Sequence, residues 1–289
     1  MPETRIVLPA RLASTRLNEK LLQKVAGKSV LQHTYEAASR ADCACGGVIV
    51  AVDDQRIADE VDSFGGRWVM TPLDCASGTD RIAHVADKFP DTEIFVNVQS
   101  DEPEIASEAI DAVARALADD PTADMATAGT PILSAKSLHD PGIVKIVMAD
   151  FFSPPETDID QDGRAKHGGA GEHGGAGEHG GAGERGGAGK GRAVYFSRAA
   201  VPYDRDGDPA ERLGDEPPIY WHHLGLYAYR RNFLTWFAGS PPSALEKIEK
   251  LEQLRAVSAG KKIVVAAVGP SKAGIDTAED LEAFRRRVE

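Results

Sequence analysis

Short apolar runs rich in β-branched residues alternate along this chain with segments whose apolar residues recur at helical spacing. The first runs are Arg5–Leu8, Val48–Val52 and Glu93–Val98, and amphipathic segments cover Val30–Ala41 and Asp54–Phe64. Strands separated by helices of this length are typical of βαβ units, in which a crossover helix returns the chain to a parallel neighbour. The pattern predicts an α/β fold with a mainly parallel sheet and helices on both faces.

The same alternation continues toward the end of the chain. Further strands are predicted at Met125–Ala128, Ile143–Met148, Ala193–Phe196, Leu224–Tyr229 and Lys262–Val268, and further helices at Asp80–Phe89 and Ser107–Ala118. Two later helices begin with capping patterns, Ser243–Glu246 and Asp276–Glu279. After the first of these, one apolar helix face is predicted. Its members are Leu245, Ile248, Leu251 and Leu254.

Length and composition bound the kind of protein. At 289 residues and 42% hydrophobic, the chain can bury one sizeable core, and we predict a single domain over residues 1–289. The net charge of -12 argues against general binding to nucleic acid, because phosphate neutralisation needs a basic surface. No run of about 18 apolar residues is present, so we expect no membrane-spanning helix. The N-terminus lacks a signal-peptide pattern, and the three cysteines lack disulfide or zinc spacing, so a cytoplasmic protein is expected.

A glycine-rich repeat interrupts this pattern. From His167 to Lys190 a six-residue unit containing Gly-Gly-Ala-Gly occurs four times and offers no hydrophobic residue to stack. Such a segment cannot offset its ordering entropy, so residues 153–191 are predicted to be a disordered insertion between two strands. Weak binding of a divalent metal by the repeat histidines is the alternative to a solvated insertion. These histidines are His167, His173 and His179.

The segment Leu8–Lys20 directly follows the first predicted strand and carries three basic side chains, Arg11, Arg16 and Lys20. Ligands of open α/β sheets bind beyond the carboxyl ends of the strands. Arginine and lysine at this place could neutralise a triphosphate, and backbone N–H groups could add further donors. A solvated basic loop without a ligand is equally compatible with the composition alone.

This segment, with its pattern A-R-x-x-S-T-R-L-x-x-K, resembles the signature of nucleotide-sugar pyrophosphorylases. Its form is similar to that of the cytidylyltransferases that act on 3-deoxy-manno-octulosonate. The similarity continues through six further motifs in the family's order: Ser77–Arg81, Val96–Pro103, Tyr195–Arg198, His223–Tyr227, Leu251–Arg255 and Gly274–Thr277. Each motif alone is weakly specific, whereas six in one order indicate the family.

The resemblance implies a Rossmann-like fold of the nucleotide-diphospho-sugar transferase type, with a smaller β-rich lobe for sugar binding and dimerisation. It implies an Mg²⁺-dependent homodimer that joins CMP from CTP to 3-deoxy-manno-octulosonate, releasing pyrophosphate, for lipopolysaccharide precursor synthesis. Two alternatives stay open at this point. One is a related enzyme for sialic acid or an 8-amino octulosonate, and the other is a nucleotide-binding module without turnover.

For the nucleotide and the metal, the resemblance implies two basic side chains that bind the triphosphate and two acidic side chains that bind the metal. Asp101 and Asp276 would hold Mg²⁺, and together with Arg11 and Lys20 they form the predicted catalytic set. For Asp101 the alternative is an ordinary turn residue, and for Asp276 it is the N-cap of the last helix. The predicted nucleotide-binding residues are Ala10, Arg11, Ser14, Arg16, Lys20, Ser77, Thr79, Arg81 and Gln99. For Ser77 and Thr79, a simple helix N-cap is the alternative.

For the acidic sugar, the resemblance implies residues from the second half of the chain. These are Arg198, His223, Tyr227, Glu252 and Gln253. Arginine can bind a sugar carboxylate with two hydrogen bonds, and His223 and Tyr227 share one face of a predicted strand. A solvated helix face is the alternative for Glu252, and a buried aromatic position is the alternative for Tyr227.

Three positions depart from the family's pattern. Asn18 and Glu19 stand where the family usually has Pro-Gly, and Ser100 stands where it has glycine. The first change removes a rigid and a permissive residue and adds a negative charge near the proposed triphosphate. Ser100 would crowd a ligand if its backbone needed a positive φ. These changes predict altered nucleotide affinity or reduced activity.

Overall fold

A computed structural model describes residues 1–13, 17–75, 77–152, 189–272 and 274–289. The strands are β1 Thr4–Ala10, β2 Lys24–Val25, β3 Lys28–Ser29, β4 Val48–Val52, β5 Trp68–Met70, β6 Ile94–Asn97, β7 Met125–Pro131, β8 Lys145–Phe152, β9 Lys190–Ser197, β10 Trp221–Arg230 and β11 Ile263–Ala267. The helices are α1 Val30–Ala38, α2 Gln55–Ser63, α3 Gly78–Ala86, α4 Ser107–Ala118, α5 Ala135–His139, α6 Arg231–Ala238, α7 Ala244–Glu249, α8 Gln253–Ser258 and α9 Ala278–Val288. Three short 3-10 helices cover Lys20–Leu22, Ala44–Gly46 and Pro209–Arg212.

Nine strands form one mixed sheet in the order β5-β4-β1-β6-β10-β7-β11-β9-β8, and β2 with β3 forms a small hairpin. The half from β5 to β6 is parallel, as the βαβ pattern predicts. Strand β10 enters antiparallel between β6 and β7, and β8 pairs with both β9 and β10. Strands β10, β7, β11, β9 and β8 therefore close a ring at one end of the sheet.

Strand β1 lies at the centre of the parallel half and is buried on both faces. Ile6 and Leu8 pack with α1, α2 and α4 in one apolar cluster, whereas Val7 packs with α3 and α6 in the other. Side chains alternate across a strand, so a continuous apolar run buries both faces of the sheet. The predicted arrangement of helices on both faces is confirmed. Among the described residues, no helix has the length and apolar character needed to span a bilayer.

Strand β9 begins earlier than predicted and includes the end of the repeat. Lys190 and Gly191 were predicted to belong to the disordered insertion, but both pair within the sheet. A Cβ at Gly191 would lie 2.5 Å from the sulfur of Met148, so glycine allows this close approach. The rest of the predicted insertion, with its three histidines, lies at residues 153–188, outside the described part of the chain.

The region after Ser243 departs from the predicted single apolar helix. Ser243 and Glu246 form the predicted capping box, but α7 ends at Glu249, and its C-cap Lys250 has a left-handed backbone with φ 55°. Leu251 and Leu254 are buried, whereas Ile248 is 79% exposed. Leu245 is also exposed, so the predicted common face is wrong. The turn at Lys250 rotates the second half of the segment relative to the first.

The start of α9 is shifted by one residue from the prediction. Its N-cap is Thr277, which forms a capping box with Asp280. The alternative role of Asp276 as the N-cap is therefore wrong.

Candidate active site

Three charged side chains that are far apart in sequence meet at the carboxyl end of the parallel strands. Lys20 begins the 3-10 helix after β1, Asp101 follows β6, and Asp276 precedes α9. The ammonium nitrogen Nζ of Lys20 hydrogen-bonds Oδ2 of Asp101 and lies 2.9 Å from Oδ1 of Asp276. The predicted convergence of Arg11 and Lys20 with the two acids is therefore confirmed for Lys20 alone. We call these three residues the charge cluster.

The chain before α9 reaches the cluster because it docks on the backbone of Asp101. The backbone N–H of Ile275 donates to the carbonyl oxygen of Asp101 at 2.8 Å. Gly274 makes the approach possible, since a Cβ there would lie 3.3 Å from the same carbonyl oxygen. This contact holds Asp276 beside Asp101 across a large sequence separation.

The electrostatics of the cluster favour a cation between the two acids. Burial acts to lower the pKa of Lys20, but hydrogen bonds to Asp101 and Asp276 outweigh it and raise the pKa above 10.5. The carboxylates of Asp101 and Asp276 both contact the ammonium group of Lys20. Carboxylate oxygens are the hard ligands that Mg²⁺ prefers, so this pair of acids fits Mg²⁺. The described residues contain no group of three or more histidine, cysteine or acidic side chains suited to a metal. Such an ion would complete its shell with water and phosphate oxygens.

The basic loop after β1 is held by one backbone and one side-chain hydrogen bond to neighbouring segments. Ala10 is buried at the end of β1, and the backbone N–H of Leu12 donates to Oδ1 of Asp53 at 3.0 Å. Arg11 is exposed and donates to the carbonyl oxygen of Cys75 at 3.1 Å, so the structure does not bring it to the acids. Ser14 and Arg16 lie outside the described residues.

Arg81 is completely buried below this loop. Its guanidinium hydrogen-bonds the hydroxyl of Thr71 and lies 3.4 Å from Oδ2 of Asp53. Because Asp53 also accepts from the loop backbone, Arg81 supports the loop through a carboxylate. Its predicted direct contact with nucleotide stays a prediction.

A cavity of about 330 Å³ is lined by residues of β6, β10, α3 and the start of α8. Six predicted site residues line it: Thr79, Gln99, His223, Tyr227, Glu252 and Gln253. Gln99 connects the cavity to the cluster, because it stands two residues before Asp101 in the loop after β6. The structure thus unites residues predicted for the nucleotide with residues predicted for the sugar.

The cavity walls are polar and hydrogen-bonded. Thr79 Oγ1 donates to Oε2 of Glu252 at 2.9 Å, which joins α3 to the start of α8. His223 lies 3.0 Å from Thr127 Oγ1 through Nε2 and 3.4 Å from the Gln253 amide nitrogen through Nδ1. Burial lowers the pKa of His223 to about 3, so the imidazole is neutral near pH 7.

A bulge in β10 sets the positions of His223 and Tyr227. His223 pairs with Gly129 and Tyr227 with Thr127, so two extra residues lie between them on β10. The even number keeps both side chains on one face, as predicted, and their rings are 5.3 Å apart.

Two predicted residues have other surroundings. Arg198 does not line the cavity, and its guanidinium donates to the carbonyl oxygens of Glu249 and Pro141 at 2.8 and 2.9 Å. Ser77 is the N-cap of α3, which was the alternative to nucleotide binding for this residue. Its hydroxyl accepts a hydrogen bond from the backbone N–H of Asp80.

The structure also adds Asn97, Tyr229 and Lys250 to the cavity wall. Asn97 lies within the motif Val96–Pro103, and Tyr229 follows His223–Tyr227 at strand spacing, so both had a signal in the sequence. Lys250 had none, because the left-handed turn at this residue interrupts a helical pattern.

Comparison with known proteins identifies the family to which this fold and site belong. The family described as cytidylyltransferase matches residues 5–263. The chain belongs to the cytidylyltransferase family.

Relatives of this cytidylyltransferase agree over their whole length. A protein of Rhodopirellula baltica named 3-deoxy-manno-octulosonate cytidylyltransferase is 52% identical over 98% of each chain. A protein of the same name from Syntrophotalea carbinolica is 39% identical over 95% of this chain and 94% of its own. Among solved structures, CMP:2-keto-3-deoxy-manno-octonic acid synthetase complexed with CTP matches with a TM-score of 0.77 and 33% identity. That match covers 99% of this chain and 98% of the solved one. The predicted Rossmann-like fold of the nucleotide-diphospho-sugar transferase type is confirmed, whereas the smaller lobe for sugar binding and dimerisation stays a prediction.

The cytidylyltransferase accommodates its unusual residues without removing a charged group from the cluster. Glu19 is left-handed, with φ 47° and ψ 40°, and its carboxylate lies 2.6 Å from a guanidinium nitrogen of Arg56. The charge of Glu19 is therefore paired on the surface. Ser100 is not among the described residues with positive φ, and its hydroxyl donates to the carbonyl oxygen of Pro9 at 2.7 Å. This hydrogen bond ties the loop after β6 to β1.

Replacing Glu19 with glycine is expected to stabilise the protein. Relief of the left-handed strain should exceed the lost exposed ion pair and the added chain entropy, leaving a gain of about 0.5 kcal/mol. Urea unfolding measures the change. Glu36→Gly, within α1, is the matched control and should destabilise by about 1 kcal/mol. A loss of stability in Glu19→Gly would contradict the strain argument.

Burial of neutral His223 predicts a loss of stability in acid. The unfolded chain binds a proton at this residue below about pH 6.5, whereas the folded pKa is about 3, so stability falls as pH drops between these values. The slope from this residue is about 1.4 kcal/mol per pH unit. His223→Gln should therefore unfold with a weaker pH dependence between pH 6 and 4. His139→Gln, at an exposed position, is the control and should retain the steep dependence. Equal slopes in both variants would contradict the assignment.

Proposed function

We infer that this chain is a 3-deoxy-manno-octulosonate cytidylyltransferase, which transfers CMP from CTP to the acidic sugar and releases pyrophosphate. The observation that carries this function is the charge cluster of Lys20, Asp101 and Asp276, together with a cavity whose wall includes Gln99, two residues before Asp101. The cluster suits a nucleoside triphosphate, and the cavity suits a sugar with several hydroxyls. The names of the full-length relatives support the same substrate pair.

The reaction requires in-line attack by the sugar's anomeric hydroxyl on the α-phosphorus of CTP. A phosphorus–oxygen bond to the sugar forms, the bond from the α-phosphorus to the bridging oxygen breaks so that pyrophosphate leaves with that oxygen, and the hydroxyl proton passes to solvent water. Lys20 supplies positive charge to the phosphate oxygens in a partly buried setting, where charge stabilisation is stronger than in water. Arg11 supplies a second, exposed cation from the loop after β1.

We propose that Asp101 and Asp276 hold Mg²⁺ when the substrates are bound. The ion would neutralise phosphate charge and lower the pKa of the attacking hydroxyl. Lys20 Nζ hydrogen-bonds both acids in the described structure, so it would exchange these contacts for contacts with phosphate. Glu252 and Gln253 would position the sugar hydroxyls, and neutral His223 can hydrogen-bond the sugar without repelling a cation.

Pyrophosphate release with CTP and a panel of acidic sugars tests the function. We expect turnover with 3-deoxy-manno-octulosonate and at least about 100-fold lower kcat/KM with sialic acid or an 8-amino octulosonate. A preference for either of these would select the related enzyme instead. CTP binding without release for every sugar would show a module without turnover.

A homodimer and a cytoplasmic location belong to the same proposal. Exposed apolar residues support a dimer: Leu133 and Tyr203 are 74% and 81% exposed next to the buried cluster around Leu138. Sedimentation should give twice the mass of one chain, and a monomer at micromolar concentration would contradict the dimer.

Three free cysteines, Cys43, Cys45 and Cys75, support a reducing compartment.

A further inference from the structure

The turn of residues 250–252 joins α7 to α8, and the cavity residues Glu252 and Gln253 lie at its end. Both helices are only six residues long, so their own backbone hydrogen bonds stabilise them little. Leu251 packs the turn against the core, but apolar contact is non-directional and does not fix the polar side chains beside it. Hydrogen bonds must therefore set the position of these two cavity residues.

The contacts of Glu252 and Gln253 inside the cavity fix them only in part. Glu252 accepts a hydrogen bond from the hydroxyl of Thr79 at 2.9 Å. The amide of Gln253 has longer contacts: its nitrogen lies 3.4 Å from Nδ1 of His223, and its oxygen lies 3.5 Å from the hydroxyl of Tyr227. Hydrogen bonds of normal strength are shorter than about 3.2 Å, so Gln253 depends on the backbone of the turn for its position.

Glu249, the last residue of α7, attaches that backbone to the end of β9. Its carboxylate accepts hydrogen bonds from the hydroxyl of Ser197 at 2.7 Å and from the backbone N–H of Arg198 at 3.0 Å. Its carbonyl oxygen accepts a third from Nε of Arg198 at 2.8 Å. Each of these bonds has an ionised partner and is therefore stronger than a neutral hydrogen bond. We call these three hydrogen bonds the Glu249 clamp.

The end of β9 is itself held from a second side. Lys145 is fully buried, and its ammonium donates to the carbonyl oxygen of Arg198 at 3.0 Å and to those of Asp140 and Ile143 at 2.7 Å each. A guanidinium nitrogen of Arg198 also donates to the carbonyl oxygen of Pro141 at 2.9 Å. The segment that Glu249 binds is thus fixed, so the clamp transmits its position to the turn.

We propose that Glu249 is a positioning residue for the acidic sugar, because its clamp holds Glu252 and Gln253 where they meet the sugar hydroxyls. The proposal rests on the function inferred above. Glu249 is not among the residues that line the cavity, so it acts through these two side chains. Ser197 and Arg198, which end the family motif Tyr195–Arg198, then serve the sugar site as the attachment point of the turn.

Steady-state kinetics of Glu249→Ala test the proposal, because alanine removes both carboxylate bonds of the clamp. We expect the KM for 3-deoxy-manno-octulosonate to rise at least about tenfold. The KM for CTP should change less than about twofold, because the charge cluster lies on other elements of the fold. Equal changes in both KM values would overturn the proposal.

Glu249→Gln separates the geometry of the clamp from its charge. The glutamine oxygen can accept from the backbone N–H of Arg198, and its NH₂ group can donate to the hydroxyl of Ser197. The sugar KM of this variant should therefore stay within about threefold of the wild-type value. A glutamine variant as impaired as Glu249→Ala would contradict a role in positioning.

Asp111→Ala is the matched control for lost stability. Its carboxylate accepts two backbone N–H groups, those of Asp42 at 3.1 Å and Cys43 at 2.7 Å, and Asp111 does not line the cavity. The variant should lower the melting temperature about as much as Glu249→Ala does and leave the sugar KM unchanged. An equal rise of the sugar KM in both variants would mean that reduced stability alone accounts for the effect.

Failure of this proposal and failure of the proposed function give different results. An active wild type together with an unchanged sugar KM in Glu249→Ala would reject the role of Glu249 alone. A wild type without pyrophosphate release for any acidic sugar would reject the proposed function as well. If Glu249→Ala does not fold, Ser197→Ala removes only one bond of the clamp and should raise the sugar KM about threefold with an unchanged KM for CTP. An unchanged sugar KM in that variant would likewise reject the role of Glu249.

Discussion

Asp101→Asn should reduce formation of the CMP-sugar by at least about 100-fold. The change keeps the size of the side chain but removes its negative charge. Asp101 hydrogen-bonds Lys20 and is one of the two carboxylates that fit Mg²⁺, so the variant weakens both the ion site and the position of the lysine. The measurement is pyrophosphate release at saturating CTP and sugar, across a range of Mg²⁺ concentrations.

A matched control separates this effect from a general loss of charge. Asp91→Asn removes one carboxylate at an exposed position after α3 and should leave turnover unchanged. The Asp101→Asn variant should also need more Mg²⁺ for half-maximal rate, because one ion ligand is weaker. Near-normal turnover of Asp101→Asn, with unchanged dependence on Mg²⁺, would refute the metal assignment.

The parallel half of the fold could be predicted because its signals are local. The run Ile6–Leu8 is apolar without alternation, and only a strand buried on both faces accounts for it beside amphipathic helices. The convergence of Lys20 with Asp101 was also accessible, since both follow the carboxyl ends of neighbouring parallel strands. Asp276 required the family resemblance, because its approach depends on a backbone contact of Ile275 with Asp101.

The remaining differences depend on contacts that no short segment reveals. The left-handed turn at Lys250 divides a helical pattern and places this residue in the cavity wall, which the sequence did not indicate. Arg198 matches a family motif, yet its guanidinium bonds backbone carbonyls away from the cavity wall. Gly191 looked like part of a flexible repeat, but the absence of a side chain is what lets β9 pack against Met148.

Lys20→Met is expected to change activity and metal binding in opposite directions. The ammonium of Lys20 lies between Asp101 and Asp276, so in the protein without nucleotide it competes with any divalent ion for both acids. Without it, two negative charges lie close together and attract a cation more strongly. Affinity for Mg²⁺ should rise at least about fivefold. Turnover should fall at least about 100-fold, because no fixed positive charge replaces the lysine at the phosphates.

Calorimetry with Mg²⁺ alone measures the affinity, and pyrophosphate release measures turnover. Lys24→Met is the matched control, since it breaks an ion pair with Glu60 on the surface and should alter neither quantity. The opposite signs distinguish a lysine that shares the acids with the ion from one that merely stabilises the loop. Weaker Mg²⁺ binding in Lys20→Met would mean that the two acids need the lysine to stay in place. The inference that Lys20 and Mg²⁺ compete for the same two carboxylates would then be wrong.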